Sequence, residues 1–367
     1  MGERGQIVVA KIGSSSITAD DGTINEAAIA KFCREVAGLR DAGHQVVMVT
    51  SGAIAAGLPA MDFDVRPRDA VTLQAVSAVG QSRLMAVYDR ELAGHGLTAG
   101  QVLLAPLDFM VREQYLHARS TLGRLLDLGV VPVVNENDAI ADDEIRFGDN
   151  DRLAALVAHL IRADLLVLLT DAPGLLTADP RFDSTASLIE EILEIDHSLE
   201  AIAGGAGSDR GSGGMASKLA AAKIAAWSGV RAVIAQASRD DVLLHAVDRT
   251  AGVGTVVQPR TQRLPARKLW IAFAVGAAGT IVVDDGARRA LLERGVSLLP
   301  AGVVDVKGGF DVDAAVEIAG PDGRAFAKGL SRFDAAGLRS VLGTRTEHLP
   351  EGSPHEVVHR DDLVVLP

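Results

Sequence analysis

Residues 6–10, Gln6-Ile-Val-Val-Ala10, lead directly into Lys11 and the turn Ile12-Gly13-Ser14-Ser15-Ser16. An apolar run of this length reads as a buried strand, and the small residues after it read as a turn. A lysine at the end of a buried strand points into a site, because ligands of open α/β sheets bind outside the carboxyl ends of the strands. The same pattern recurs along the chain at residues 45–50, 101–105, 130–134, 165–170 and 231–235, with amphipathic helices between. Near-continuous apolar strands alternating with helices predict a parallel-rich sheet sandwiched by helices, an α/β fold.

After residue 257 the pattern changes. Two prolines and several basic residues within 258–268 read as a linker. Short β-like pieces follow at 279–283, 303–306, 315–318 and 356–358, with turns at Lys307-Gly-Gly and Gly320-Pro-Asp-Gly. The expected organisation is an α/β domain over residues 1–258, a linker over 259–274 and a small, mostly-β domain over 275–367.

Composition narrows the function. A formal net charge of −12 disfavours broad polyanion binding, since nucleic-acid affinity rests on neutralising phosphates with lysine and arginine. Nucleic acid is therefore not expected as a partner, and any basic site must be local. The single cysteine, Cys33, has no intrachain partner, and with Ile29, Phe32, Val36 and Leu39 it forms the apolar face of a predicted helix. No secretory leader or membrane-spanning run is evident, which predicts a cytoplasmic protein. The histidines lack metal-ligand spacing, so a structural zinc site is not expected.

The turn Gly211-Ser-Gly-Gly-Met-Ala-Ser-Lys218 opens a helix whose first turn carries a lysine. Glycines let backbone N–H groups approach an anion, and the helix N-terminus adds partial positive charge. The spacing does not fit a Walker-type P-loop. The glycine-rich residues 204–214 are expected to be mobile until a ligand binds. Polar turns follow the other strands: Ser51 and Gly52 offer a hydroxyl and backbone donors, although the glycines of this turn also serve close packing. Asn135-Glu-Asn-Asp138, Asp149-Asn150-Asp151 and Thr170-Asp171 complete the set, with Asp149 or Asn150 also suited to cap a helix. Asp171 is placed where it could hydrogen-bond both lysines.

Taken together, VVAKIGSSSIT, TSGAIAAG, VVNENDAI, FGDND, LLTDAPGLLTADP and GSGGMASK resemble the motifs of the glutamate 5-kinases, within the amino acid kinase family. The resemblance spans nearly the whole chain, and the C-terminal part is similar to a PUA domain. The segment from Ser212 to Lys218 differs mildly from the usual GTGGM-STK-like form, at Ala216 and Ser217.

The resemblance implies ATP-dependent phosphoryl transfer to a carboxylate, a nucleophile that is already ionised at neutral pH and needs no general base. It implies transfer to the side-chain carboxylate of L-glutamate, with Mg²⁺ held by the ATP phosphates, as the first step of proline biosynthesis. Lys11 and Lys218 would be catalytic, with Asp171 holding both ammonium groups. Ser51, Gly52, Asp138 and Asn150 would bind glutamate, with Asp138, Asp149 or Asp151 facing its ammonium group. Lys11, Thr170, Asp171, Ser212, Gly213, Gly214, Met215, Ala216, Ser217 and Lys218 would line the nucleotide site. Those carboxylates would be costly to leave unpaired, which disfavours an N-acylated glutamate but does not by itself exclude aspartate. The resemblance further implies a homo-oligomer, inhibition by proline and hand-over of the product to glutamyl phosphate reductase.

Overall fold

The computed structural model describes residues 5–19, 22–63, 65–140, 150–204, 214–261 and 263–366. The chain forms two compact units, Met1–Arg263 and Leu264–Pro367.

Eight strands make the sheet of the first unit: β1 (Ile7–Ile12), β2 (Gln45–Val49), β3 (Ala99–Leu104), β4 (Val131–Glu136), β5 (Leu165–Thr170), β6 (Glu191–Ile192), β7 (Arg231–Gln236) and β8 (Thr255–Val257). Their order is β3-β4-β2-β1-β5-β7-β8-β6. Every pairing is parallel except β7 with β8. The chain leaves β1 toward β2 on one side and later adds β5 on the other. The carboxyl ends of β2, β1 and β5 therefore meet at a reversal of strand order, where open α/β sheets form their binding crevice.

The central strands are apolar on both faces because helices cover both. Val8, Ala10, Val46, Met48, Leu165 and Val167 pack with Ile29, Phe32, Cys33, Val36, Leu84 and Leu92 in one core. Burial pushes the Cys33 thiol up to about 12, consistent with a packing role. The helix Asn150–Leu160 is buried at nine of its positions, so its place is dictated by apolar contact along almost its full length.

The long helix Ala70–Ala93 starts at Asp69, whose side chain accepts from the Thr72 N–H at 2.9 Å. It lies unusually close to the short helix Ala53–Gly57. A Cβ on Gly80 would sit 1.8 Å from the Ala53 carbonyl oxygen and 2.5 Å from the Gly57 nitrogen, and one on Gly57 would sit 2.1 Å from the Val76 carbonyl oxygen. These glycines serve helix-to-helix contact.

In the second unit, strands β9 (Gly279–Val283), β10 (Val303–Gly308), β11 (Ala315–Ala319), β12 (Ala325–Leu330) and β13 (Leu363–Val365) are ordered β10-β9-β11-β12-β13. Ile281, Val283, Leu291, Val316, Ile318, Ala327 and Val358 form its core. Two sequence expectations change here. Residues 264–274 are not a free linker: Ala266–Leu269 and Trp270–Ala274 are helical, with Leu269 and Ile271 fully buried, because their apolar side chains complete the second unit. Residues 258–263 belong to the first unit, where the Arg260 guanidinium stacks over Trp227 at 4.4 Å. Residues 356–358 form no named strand; Val358 makes one isolated bridge to Leu298.

Two outcomes test this packing. Gly80→Ala must force the two backbones apart and should cost about 1–3 kcal/mol. Gly38→Ala, in the helix Glu26–Asp41 with nothing within 4 Å of the added methyl, should instead stabilise by up to about 1 kcal/mol. Urea denaturation of both variants reads the contrast. His159 supplies the second test. Burial, reinforced by Arg263, Arg119 and Arg162, lowers its pKa from 6.5 to about 4. A depressed histidine pKa means the fold prefers the neutral ring, so its contribution is present above the unfolded value and lost as pH falls from about 6.5 toward about 4. Between roughly pH 7 and pH 5 the native protein should lose about 2 kcal/mol through this group. His159→Gln should remove that increment from the urea midpoints.

Candidate active site

The site is assembled at the strand ends. β1 brings in Lys11, which is only 2% exposed, and Gly13 lies against it: a Cβ there would be 3.4 Å from the Lys11 Nζ. The helix Met215–Trp227, preceded by Gly214, brings in Lys218 in its first turn, also buried. Between them stands Asp151, in the first turn of Asn150–Leu160 and fully buried. Lys11 Nζ lies 2.5 Å from Asp151 Oδ1, and Lys218 Nζ lies 3.1 Å from Oδ2. Burial alone would raise the Asp151 carboxyl, but the two ammonium groups outweigh it and hold the pKa below the usual carboxylate range. Helix dipole and first-turn position favour the same charge. Ser217 Oγ donates toward Asp151 Oδ2 at 3.1 Å and toward the Gly214 carbonyl at 2.8 Å.

This arrangement corrects two expectations. Asp151, not Asp171, bridges the lysines. Asp171 is exposed and accepts instead from Ser16 Oγ at 2.9 Å, because it lies past the end of β5 while Asp151 is carried inward by a buried helix. Asp151 is likewise moved out of the substrate-ammonium group, since an ammonium of the protein already meets each of its oxygens.

The second cluster lies at the ends of β2 and β4. Asn150 Nδ2 is 2.6 Å from the Thr50 carbonyl, 2.9 Å from Ser51 Oγ and 2.7 Å from Asn135 Oδ1. Asp138 accepts from Ser77 Oγ at 2.8 Å. Thr50 Oγ1 and Tyr88 Oη are 2.7 Å apart, and burial pushes the Tyr88 phenol well above its ordinary range. Gly52 supports this turn at φ 96°, a conformation that favours glycine, with Ile17 packed against it. Sequence reasoning missed Ser77, Gln81 and Tyr88. The available signal was their recurrence on one face of an otherwise apolar helix stretch.

Thr170 and Asp171 open the turn after β5, which is fixed where the Leu175 N–H donates to Thr255 Oγ1 at 2.8 Å. Gly214, Met215, Ala216, Ser217 and Lys218 lie together at the start of one helix. Asp149, Ser212 and Gly213 lie outside the described residues, as does most of the stretch expected to be mobile. Among the described residues no group of three or more His, Cys, Asp or Glu side chains is placed to hold a metal ion. No described helix is long and apolar enough to cross a membrane.

Comparison with known proteins agrees with this architecture. The amino acid kinase family profile matches residues 6–236, and the PUA domain profile matches residues 279–350. The chain is 45% identical to the glutamate 5-kinase of Burkholderia multivorans, over 98% of this chain and 97% of that protein. It is 43% identical to the glutamate 5-kinase of Pelobacter propionicus, with the same coverage. Among solved structures, the carbamate kinase from Giardia lamblia bound to AMP-PNP aligns with a TM-score of 0.52 at 16% identity, covering 70% of this chain and 99% of that chain. At that identity the likeness concerns the fold, and the curated relatives carry the rest. The chain belongs to the amino acid kinase family and carries a PUA domain after its kinase domain.

Proposed function

We propose that this protein transfers the γ-phosphoryl group of ATP to the side-chain carboxylate of L-glutamate, giving L-glutamyl 5-phosphate, the first step of proline biosynthesis. The observation that carries the chemistry is the buried Lys11–Asp151–Lys218 arrangement; the curated relatives carry the substrate.

The acceptor is an anion approaching a polyanion, so the barrier is electrostatic before it is covalent. Glutamate's side chain has an ordinary pKa near 4.3 and is ionised without help from a base. The protein must supply positive charge where negative charge spreads during in-line transfer. Lys11 and Lys218 do so, and Asp151 keeps the two ammonium groups adjacent before and during the reaction. Preset charge in a water-poor site costs no reorganisation as the reaction proceeds.

Ser51, Gly52, Asp138 and Asn150 are assigned to glutamate, with Asp138 the candidate for its ammonium group. Thr170, Asp171, Gly214, Met215, Ala216, Ser217 and Lys218 are assigned to the nucleotide side, as are Ser212 and Gly213. Mg²⁺, held by the ATP phosphates, would neutralise phosphate charge. An acyl phosphate is labile, which suits its consumption by a reductase, and the reading includes proline inhibition and a homo-oligomer as properties to be measured.

Incubation with ATP, magnesium, hydroxylamine and glutamate should yield hydroxamate, with far less from aspartate or N-acetylglutamate. Equal or greater product from either alternative would reassign the substrate. Lys11→Ala and Lys218→Ala should each lower kcat by roughly 10²–10³-fold, more than they raise the glutamate KM. A rise in KM with kcat intact would make the lysine a ground-state binding group. Asp151→Asn leaves two buried ammonium groups without their shared carboxylate and should cost about 3–5 kcal/mol of stability, read from denaturation midpoints, together with a fall in kcat.

A further inference from the structure

The helix Ala70–Ala93 presents Ser77 and Gln81 to the end of β4 and Tyr88 to the end of β2. All three side chains are buried. On the same helix Gly80 packs against the helix Ala53–Gly57, and the Ser77 hydroxyl reaches Asp138 Oδ2 at 2.8 Å.

The amides between Gln81 and Asn150 have a fixed polarity. Asn150 Nδ2 faces the Thr50 carbonyl and Asn135 Oδ1, atoms that can only accept. Asn135 Oδ1 also accepts from the Glu136 N–H at 2.9 Å, so its Nδ2 must turn away from both donors. It turns to Gln81 Oε1, at 2.7 Å. The remaining atom of the chain is Asn150 Oδ1, which is buried and has no hydrogen-bond partner among the described residues. A buried carbonyl oxygen in that state calls for a donor from outside the protein. A substrate ammonium group has three such donors, and an amide nitrogen in the same place would repel it.

We propose that Gln81 is a positioning residue for the amino-acid substrate. It holds the Asn135 amide, which holds Asn150 with its oxygen, rather than its nitrogen, presented to the substrate's N–H donors. Ser77 performs the parallel task for Asp138. The inference rests on the reading of glutamate as the substrate.

The decisive comparison is Gln81→Met against Gln81→Glu in the full-length enzyme. Methionine keeps the length without the acceptor oxygen; glutamate keeps an acceptor. Gln81→Met should raise the glutamate KM by about tenfold, the scale of one lost hydrogen bond, and leave kcat and the ATP KM within about twofold. Gln81→Glu should restore the glutamate KM to within about threefold of the parent. Ser77→Ala should shift the glutamate KM in the same direction and likewise spare the ATP KM. An unchanged glutamate KM in Gln81→Met would overturn the proposal. So would a joint change in kcat and both KM values, which marks general loosening. Parent enzyme that forms no hydroxamate from glutamate would overturn the substrate reading and this inference with it. Active parent enzyme with an indifferent Gln81→Met would overturn the inference alone.

Discussion

Two ammonium groups brought side by side in an apolar interior repel each other, and each has surrendered its hydration. Only a counter-anion between them makes the placement tenable. Asp151 is that anion, and its position is set from behind by the helix Asn150–Leu160, whose apolar residues pack against the sheet and the helix Met215–Trp227. The charge geometry is thus imposed by hydrophobic packing. Were the ion pairs alone responsible, the entropy of three flexible side chains would oppose a single arrangement.

The two halves of the site use different chemistry. Around the two lysines, full charges meet within about a hydrogen-bond length. Around Asn150 the groups are neutral: amides, hydroxyls and a backbone carbonyl, tied to one another at 2.6–2.9 Å. A neutral scaffold can impose direction on a charged substrate without competing for it as a counter-ion would. Its cost is that every donor and acceptor must be matched, because an unmatched polar atom in a buried network is expensive. The long helix Ala70–Ala93 meets part of that requirement by supplying Gln81 Oε1 to Asn135 Nδ2.

The fold was legible wherever residues were apolar in uninterrupted runs. Residues 165–170 were read with the observed bounds, and the other long strands of the first unit to within two residues at each end. β12 was not, since Lys328 interrupts an otherwise apolar segment, although the fold buries that residue. Lys11 and Lys218 were legible because each ends or opens an element. Asp151 was visible as an acidic residue but not as the bridge. Asp171 and Asp151 both follow strands in sequence; which one reaches the lysines depends on whether a helix buries it, a property of packing rather than of spacing. Ser77 and Gln81 were missed for a related reason. Polar residues in a long helix ordinarily face solvent, and only the close packing of two helices turns them inward.

Net charge adds a last constraint. A chain of formal charge −12 repels both ATP and glutamate at long range, yet salt screens such fields beyond about 8 Å at physiological ionic strength. Attraction must therefore come from contacts made at short range, out of water, where screening by ions is weak. The deep burial of Lys11, Lys218 and Asp151 is the form such a solution takes. Exposed lysines would lose much of their effect to salt and solvent; buried ones, held by a carboxylate that packing fixes, keep a local positive field inside an acidic protein.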